Sequence, residues 1–162
     1  LKEDILPLKF RINYLLIPLF VVITASAASH FADTGMAWYK TINLPDWTPS
    51  NSLIVTVWTI IFVLTSFSII IIWNKFSMEK NFNLIVILFV MNAVLNVGWN
   101  ILFFAQKEIG LAFLGAILLI FNIILIIYFI WKFSPLTASL LFPYSLWVIF
   151  SIILTLKVWS IN

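Results

Sequence analysis

The sequence predicts an all-α integral membrane protein, a bundle of five transmembrane helices. Three observations carry this reading. Apolar residues make up 64% of the chain and charged residues only 9%, against roughly 45–50% and about 25% in soluble domains. Apolar runs of the ~18 residues needed to cross a hydrocarbon core of about 30 Å follow one another with short connections. Those runs lack the alternation of barrel strands, and backbone groups in lipid must be satisfied within their own segment, so helices are expected.

The elements follow in order, as one membrane domain over 1–162. A first span covers 12–32, preceded by "LKEDILPLKFR" and carrying "ASA" at 25–27. That arrangement resembles a signal peptide with a small-residue cleavage site, but the uninterrupted spans downstream make a retained first helix more economical. The stretch 33–49, "DTGMAWYKTINLPDWTP", is the one connection too long for a simple hairpin turn. Pro45 and Pro49 restrict the backbone on both sides of Trp47, and Pro49 falls where a first-turn proline is tolerated at the start of the second span, 50–73. This segment reads either as an interfacial aromatic anchor or as a lid over the mouth of the bundle. The third and fourth spans cover 82–104 and 109–131. In the fifth, 136–158, Pro143 removes a backbone donor and predicts a kink near Ser139.

Charge and composition remove several function classes. No cysteine is present, and His30 is the single histidine, so disulfides, thiolate chemistry and a histidine-ligated metal site are not expected. No metal and no cofactor is assigned. A net charge of +3 is too small and too scattered to indicate nucleic acid. Lys2, Lys9, Arg11, Lys75, Lys80 and Lys132 share one face, opposed by Lys40, Lys107 and Lys157. The positive-inside rule then places the N-terminus on the cytoplasmic side of the membrane. No Asp, Glu, Lys or Arg lies deep in a span, which argues against an ion-driven pump.

The polar groups at depth are neutral and fall on helical stripes. Asn92, Asn96, Trp99 and Phe103 share one face of the third span. An amide in hydrocarbon is costly unless hydrogen-bonded, so these side chains should point inward, either as interhelical glue or as a pocket wall. Tyr144, Trp147, Ser151 and Thr155 share a face of the fifth span, and Trp58, Phe62 and Thr65 a face of the second. Each stripe alone is more often packing than ligand contact. Tryptophan depth separates them further. Trp38, Trp47, Trp73, Trp131 and Trp159 fit an interfacial belt, whereas Trp58 and Trp147 lie roughly 12–16 Å inside their spans at 1.5 Å per residue. A buried indole N–H requires an acceptor. Together with Trp99, these rings predict a flat aromatic cavity able to stack on a planar ligand.

"WYKTINLPDWTPS" followed by "VW", then "NAVLNVGWNILFF", then "LLFPYSLW", resembles the TspO/MBR family of tryptophan-rich sensory and translocator proteins, also called the peripheral benzodiazepine receptor family. The likeness covers nearly all of the chain after residue 25, with three motifs in the family's order. It departs at Ser50, where a second proline is common, and at Thr155, where asparagine is common. The resemblance implies a five-helix bundle, often a homodimer, that binds porphyrins such as protoporphyrin IX and, in animal members, cholesterol and synthetic drugs. It also implies a site at Tyr39 and Pro49 on the lid side, Trp58 and Phe62, Asn96 and Trp99, and Trp147 and Ser151. Some bacterial members are reported to degrade protoporphyrin under light, and by carry-over Trp58 and Trp147 are the candidate participants. The sterol-like pattern at Leu125, Tyr128 and Lys132 is close to chance in a chain this rich in leucine.

Three functions compete. The first is a membrane receptor or sensor for a planar hydrophobic tetrapyrrole, with partners limited to that ligand, membrane lipid and a second copy. Its expected contacts are Tyr39, Trp47, Pro49, Trp58, Phe62, Asn92, Asn96, Trp99, Phe103, Tyr144, Trp147 and Ser151. The second is light- and oxygen-dependent porphyrin breakdown at Trp58 and Trp147. The third is a transporter, not coupled to ions, of porphyrin or lipid-like ligands. Ala112 and Ala116 form one small-xxx-small pair, so a dimer rests mostly on the resemblance.

Overall fold

The computed structural model describes residues 11–162, so the tail charges Lys2 and Lys9 lie outside the described residues. The chain folds as α1 (Asn13–Tyr39), α2 (Asn51–Lys75), α3 (Phe82–Asn100) continued by a π-helical turn (Ile101–Ala105), α4 (Ile109–Trp131), α5 (Pro135–Ser139) and α6 (Phe142–Ile161). Five helical units are long and apolar enough to cross a membrane, and no strand occurs among the described residues. The protein is an all-α integral membrane bundle.

Around the bundle, α1 packs on α2 and α3, α3 on α4, α4 on α6, and α6 returns to α2, with short α5 wedged between α4 and α2. The ring is held by three apolar clusters. At the end away from the 40–50 loop, Ile72, Ile85, Ile126 and Ile130 are almost wholly enclosed. Mid-bundle, Ile61, Leu119, Ile123, Tyr144 and Val148 form the second. Phe103, Ala112 and Val158 form the third at the loop end. Polar pins supplement them, as where the Ser68 hydroxyl donates to the Thr137 carbonyl at 3.3 Å.

Three local expectations are corrected. Helix α1 runs to Tyr39, so the first part of the stretch read as a loop is helical. The reason is packing: Gly35 is buried against the backbone of Phe104 in the π turn, and this close approach offsets the ~1 kcal/mol that glycine costs inside a helix. Pro49 stands outside α2 rather than in its first turn. Ser50 is the N-cap, its hydroxyl accepting from the Leu53 N–H at 3.4 Å. In the fifth span the expected kink is an interruption at Leu140–Leu141, whose backbones stay in the right-handed helical region. α5 ends at Ser139, and Pro143 lies in the first turn of a new helix, where its missing N–H has no intrahelical partner to lose.

The π turn has its own logic. The Gln106 N–H donates to the Ile101 carbonyl and the Glu108 N–H to the Leu102 carbonyl, both at 2.8 Å, widening the last turn of the span. Lys107 closes it at φ 61°, a left-handed conformation that glycine would adopt without the Cβ clash. The widened turn presents Phe103 and Phe104 toward α1.

Candidate functional site

The non-helical residues 40–50 descend along α6 rather than bridging the bundle end. At the top, the Asn43 N–H donates to Asn162 Oδ1 and Asn162 Nδ2 donates back to the Asn43 carbonyl, each at 2.9 Å. Lower down, Trp47 lies edge-on to Phe150 with centroids 5.8 Å apart. At 1.5 Å per residue, Phe150 is roughly 18 Å below Asn162. The chain from Asn43 to Trp47, which turns at Asp46 and Trp47, makes this descent together with the Trp47 side chain. The loop therefore takes the place of turns that α2, starting at Asn51, does not supply. Irregular backbone at such depth needs partners. Pro45 and Pro49 carry no N–H, and the Thr48 N–H donates to the Pro45 carbonyl at 2.9 Å in a tight turn.

Behind the loop, aromatic rings run in series along the α2–α6 seam. Trp47 meets Phe150, which stacks on Trp147 at 5.2 Å and 29°. One turn earlier on α6, Tyr144 meets Trp58 edge-on at 5.8 Å, and Trp58 lies on Phe62 at 5.5 Å. Trp58 and Trp147 are both half-buried and pack on the mid-bundle cluster of Ile61, Leu119, Ile123, Tyr144 and Val148. They belong to one seam, with Tyr144 rather than open space next to Trp58. Two indole N–H groups, those of Trp147 and Trp99, are buried without an acceptor among the described residues, as is the Thr65 hydroxyl on the Trp58 stripe.

The asparagine stripe is tied into the bundle. Asn92 Nδ2 donates to Asn122 Oδ1 at 2.9 Å, and Asn122 Nδ2 donates to the Leu88 carbonyl at 3.2 Å. The Tyr144 hydroxyl donates to Asn92 Oδ1 at 3.0 Å and accepts from Asn96 Nδ2 at 3.2 Å. Three spans are thus joined by neutral hydrogen bonds in a buried core. Asn122, the single amide in α4, was not among the expected residues. Its signal was available as a polar side chain midway along an otherwise apolar span.

The remaining expected residues fall into two groups. Ser151 is half-buried beside Trp147, its hydroxyl donating to the Trp147 carbonyl at 2.8 Å, so it has acceptor capacity to offer but its proton is committed. Pro49 is half-buried at the foot of the loop. Tyr39, Trp99 and Phe103 form a separate aromatic cluster at the loop end. Trp99 stacks on Phe103 at 5.1 Å and 15°, and Tyr39 packs on Phe103 and Phe104 at 6.1 and 5.6 Å. Phe150 was missed; it stands three residues after Trp147, on the same side of α6. Among the described residues no group of histidine, cysteine or carboxylate side chains has the arrangement of a metal site.

Chemically, the seam offers π faces, buried N–H and O–H donors and a cover of irregular chain, but no ionisable pair for acid–base work. Comparison with known proteins agrees with this membrane architecture. The model of the TspO/MBR family matches residues 14–160. The uncharacterised membrane protein YtaB of Bacillus subtilis is 33% identical over 147 residues, covering 88% of this chain and 93% of that protein. The tryptophan-rich protein TspO of Bacillus cereus is 33% identical over 126 residues, covering 77% and 80%. The translocator protein of Ovis aries is 27% identical over 130 residues, covering 79% and 76%.

Proposed function

The chain belongs to the TspO/MBR family, and from that premise we propose that it is a membrane receptor for a planar, hydrophobic, protoporphyrin-like tetrapyrrole taken up along the α2–α6 seam beneath the 40–50 loop. The observation that carries the reading is the Trp147 indole N–H, buried without an acceptor among the described residues, beside stacked Phe150 and the loop's Trp47. A buried unpaired donor costs about 1–3 kcal/mol, a cost that an acceptor on a bound ligand removes. Trp47, Phe150, Trp147 and Trp58 supply faces for stacking, and the Asn92–Tyr144–Asn96 network fixes the wall on which they stand.

Titration of the purified protein with protoporphyrin IX, in detergent and in lipid, should give a saturable absorbance shift with tryptophan quenching. Trp147→Phe removes the N–H together with the five-membered ring that carries it, so affinity should fall at least about three- to tenfold, the range of one hydrogen bond, with the lost stacking area adding to that. An absent or non-saturating response in the unaltered protein overturns the proposal.

A second reading, light- and oxygen-dependent breakdown of the bound porphyrin, is favoured by one feature: the oxidisable rings of Trp58, Tyr144 and Trp147 share the seam. Illuminated turnover should then drop in both Trp58→Phe and Trp147→Phe at saturating porphyrin; equal rates in all three proteins count against it.

A further inference from the structure

At the end of the bundle away from the loop, an apolar groove of about 210 Å³ runs between the start of α1, the end of α2 and the start of α3. An apolar cavity of ~150 Å³ suffices to hold benzene, so the groove has room for a length of hydrocarbon. Its floor includes Ile17, Ile72, Ile85 and Phe89, all buried, and its open side is bordered by exposed Leu16 and Val90.

One end of this groove is polar and organised. Asn13 lines it and donates from Nδ2 to Asn74 Oδ1 at 3.0 Å. Arg11 Nη1 donates to the same oxygen at 3.1 Å and reaches the Asn74 carbonyl at 3.5 Å, and Asn74 Nδ2 is anchored on the Ile70 carbonyl at 3.0 Å. The guanidinium is exposed and held against Asn74, and the next residue along the chain, Lys75, is exposed as well. Trp73, at the groove's rim, is of the type that settles at a membrane interface. A slot for hydrocarbon therefore ends at a fixed cation with a second cation adjacent in sequence.

We propose that this groove is a binding site for one anionic phospholipid, with an acyl chain in the slot and the phosphate on Arg11 and Lys75. The bundle's surroundings are lipid, and an acyl chain brings no backbone N–H or C=O for which apolar walls have no partner, as a peptide would. The guanidinium fork matches phosphate oxygens, and two cations disfavour a headgroup that carries its own positive charge.

The test uses the full chain, delipidated in detergent and titrated with phosphatidylglycerol or phosphatidylcholine of identical acyl chains, with retained lipid counted by native mass spectrometry. One phosphatidylglycerol should be held in preference to phosphatidylcholine, and Arg11→Gln and Lys75→Gln should each lower that preference about fivefold. Val86→Phe, which fills the groove, should reduce retention of both lipids. Equal retention of the two lipids by the unaltered protein, or a preference untouched by the charge variants, overturns the proposal. So does disulfide formation between copies bearing Leu16→Cys or Val90→Cys in lipid, which would assign the face to self-association; the chain has no native cysteine to confuse that result.

Discussion

Gly35 is held to its identity by a backbone rather than by a side chain. A Cβ built there would sit 2.7 Å from the Phe104 Cα, and backbone cannot swing aside as the end of a flexible side chain can. Contrast Gly98, where an added Cβ meets nothing within 4 Å. Gly35→Ala should therefore force α1 off the π turn and lower stability by about 1–3 kcal/mol, the usual cost of overpacking, while Gly98→Ala should be neutral or slightly stabilising. Reversible unfolding in mixed micelles, followed by helicity, checks both. Equal effects at the two positions would mean that the α1 contact yields more easily than its geometry implies.

At the scale of helices, the seam depends on how α3, α4 and α6 are pinned. The amide of Asn92 bonds both Asn122 and the Tyr144 hydroxyl, so removing Asn122 leaves one donor of Asn92 unpaired in an apolar interior. Asn122→Leu should cost about 1–2 kcal/mol. In a double-mutant cycle with Asn92→Leu, the coupling should be about 0.5–1.5 kcal/mol, since hydrogen bonds inside membrane bundles are individually modest. The α3–α4 pair was only half legible in the sequence. The Asn92–Asn96 spacing placed both amides on one inward stripe, but periodicity along one span says nothing of which neighbour answers it, so Asn122 went unread. The same limit explains the α1 boundary. Asp33, Thr34 and Gly35 read as loop by local preference, yet they are helical, and Gly35 packs on the backbone of Phe104, a partner that lies far away in sequence. Pro143 was read correctly as a disruption, yet whether a proline bends a helix or begins one depends on the Leu140–Leu141 break before it, which no residue there announces.

For the molecule as a whole, the five spans make a ring whose α2–α6 side is completed by irregular chain, and that side is where the proposed ligand enters. The loop is tied to the bundle's end by the paired bonds between Asn43 and Asn162, and lower down by Trp47 against Phe150. Asn162 also donates to the Val158 carbonyl, so its side chain is oriented by α6 before it meets the loop. Replacing Asn162 by alanine removes both tethers of Asn43 but leaves every apolar cluster intact. Two hydrogen bonds at about 0.5–1.5 kcal/mol each, partly recovered by water at an exposed site, correspond to loop opening favoured by roughly tenfold. Hydrogen exchange at the Asn43 amide should accelerate by about that factor with the melting temperature unchanged. If the α2–α6 seam is the porphyrin site, the dissociation rate should rise in parallel while the association rate rises less, because the cover opens more often on a wall that has not moved. Unchanged exchange at Asn43 would show that the clasp does not hold the loop. Faster exchange with an unchanged dissociation rate would leave the clasp in place as a structural tie and put the ligand's exit elsewhere in the ring.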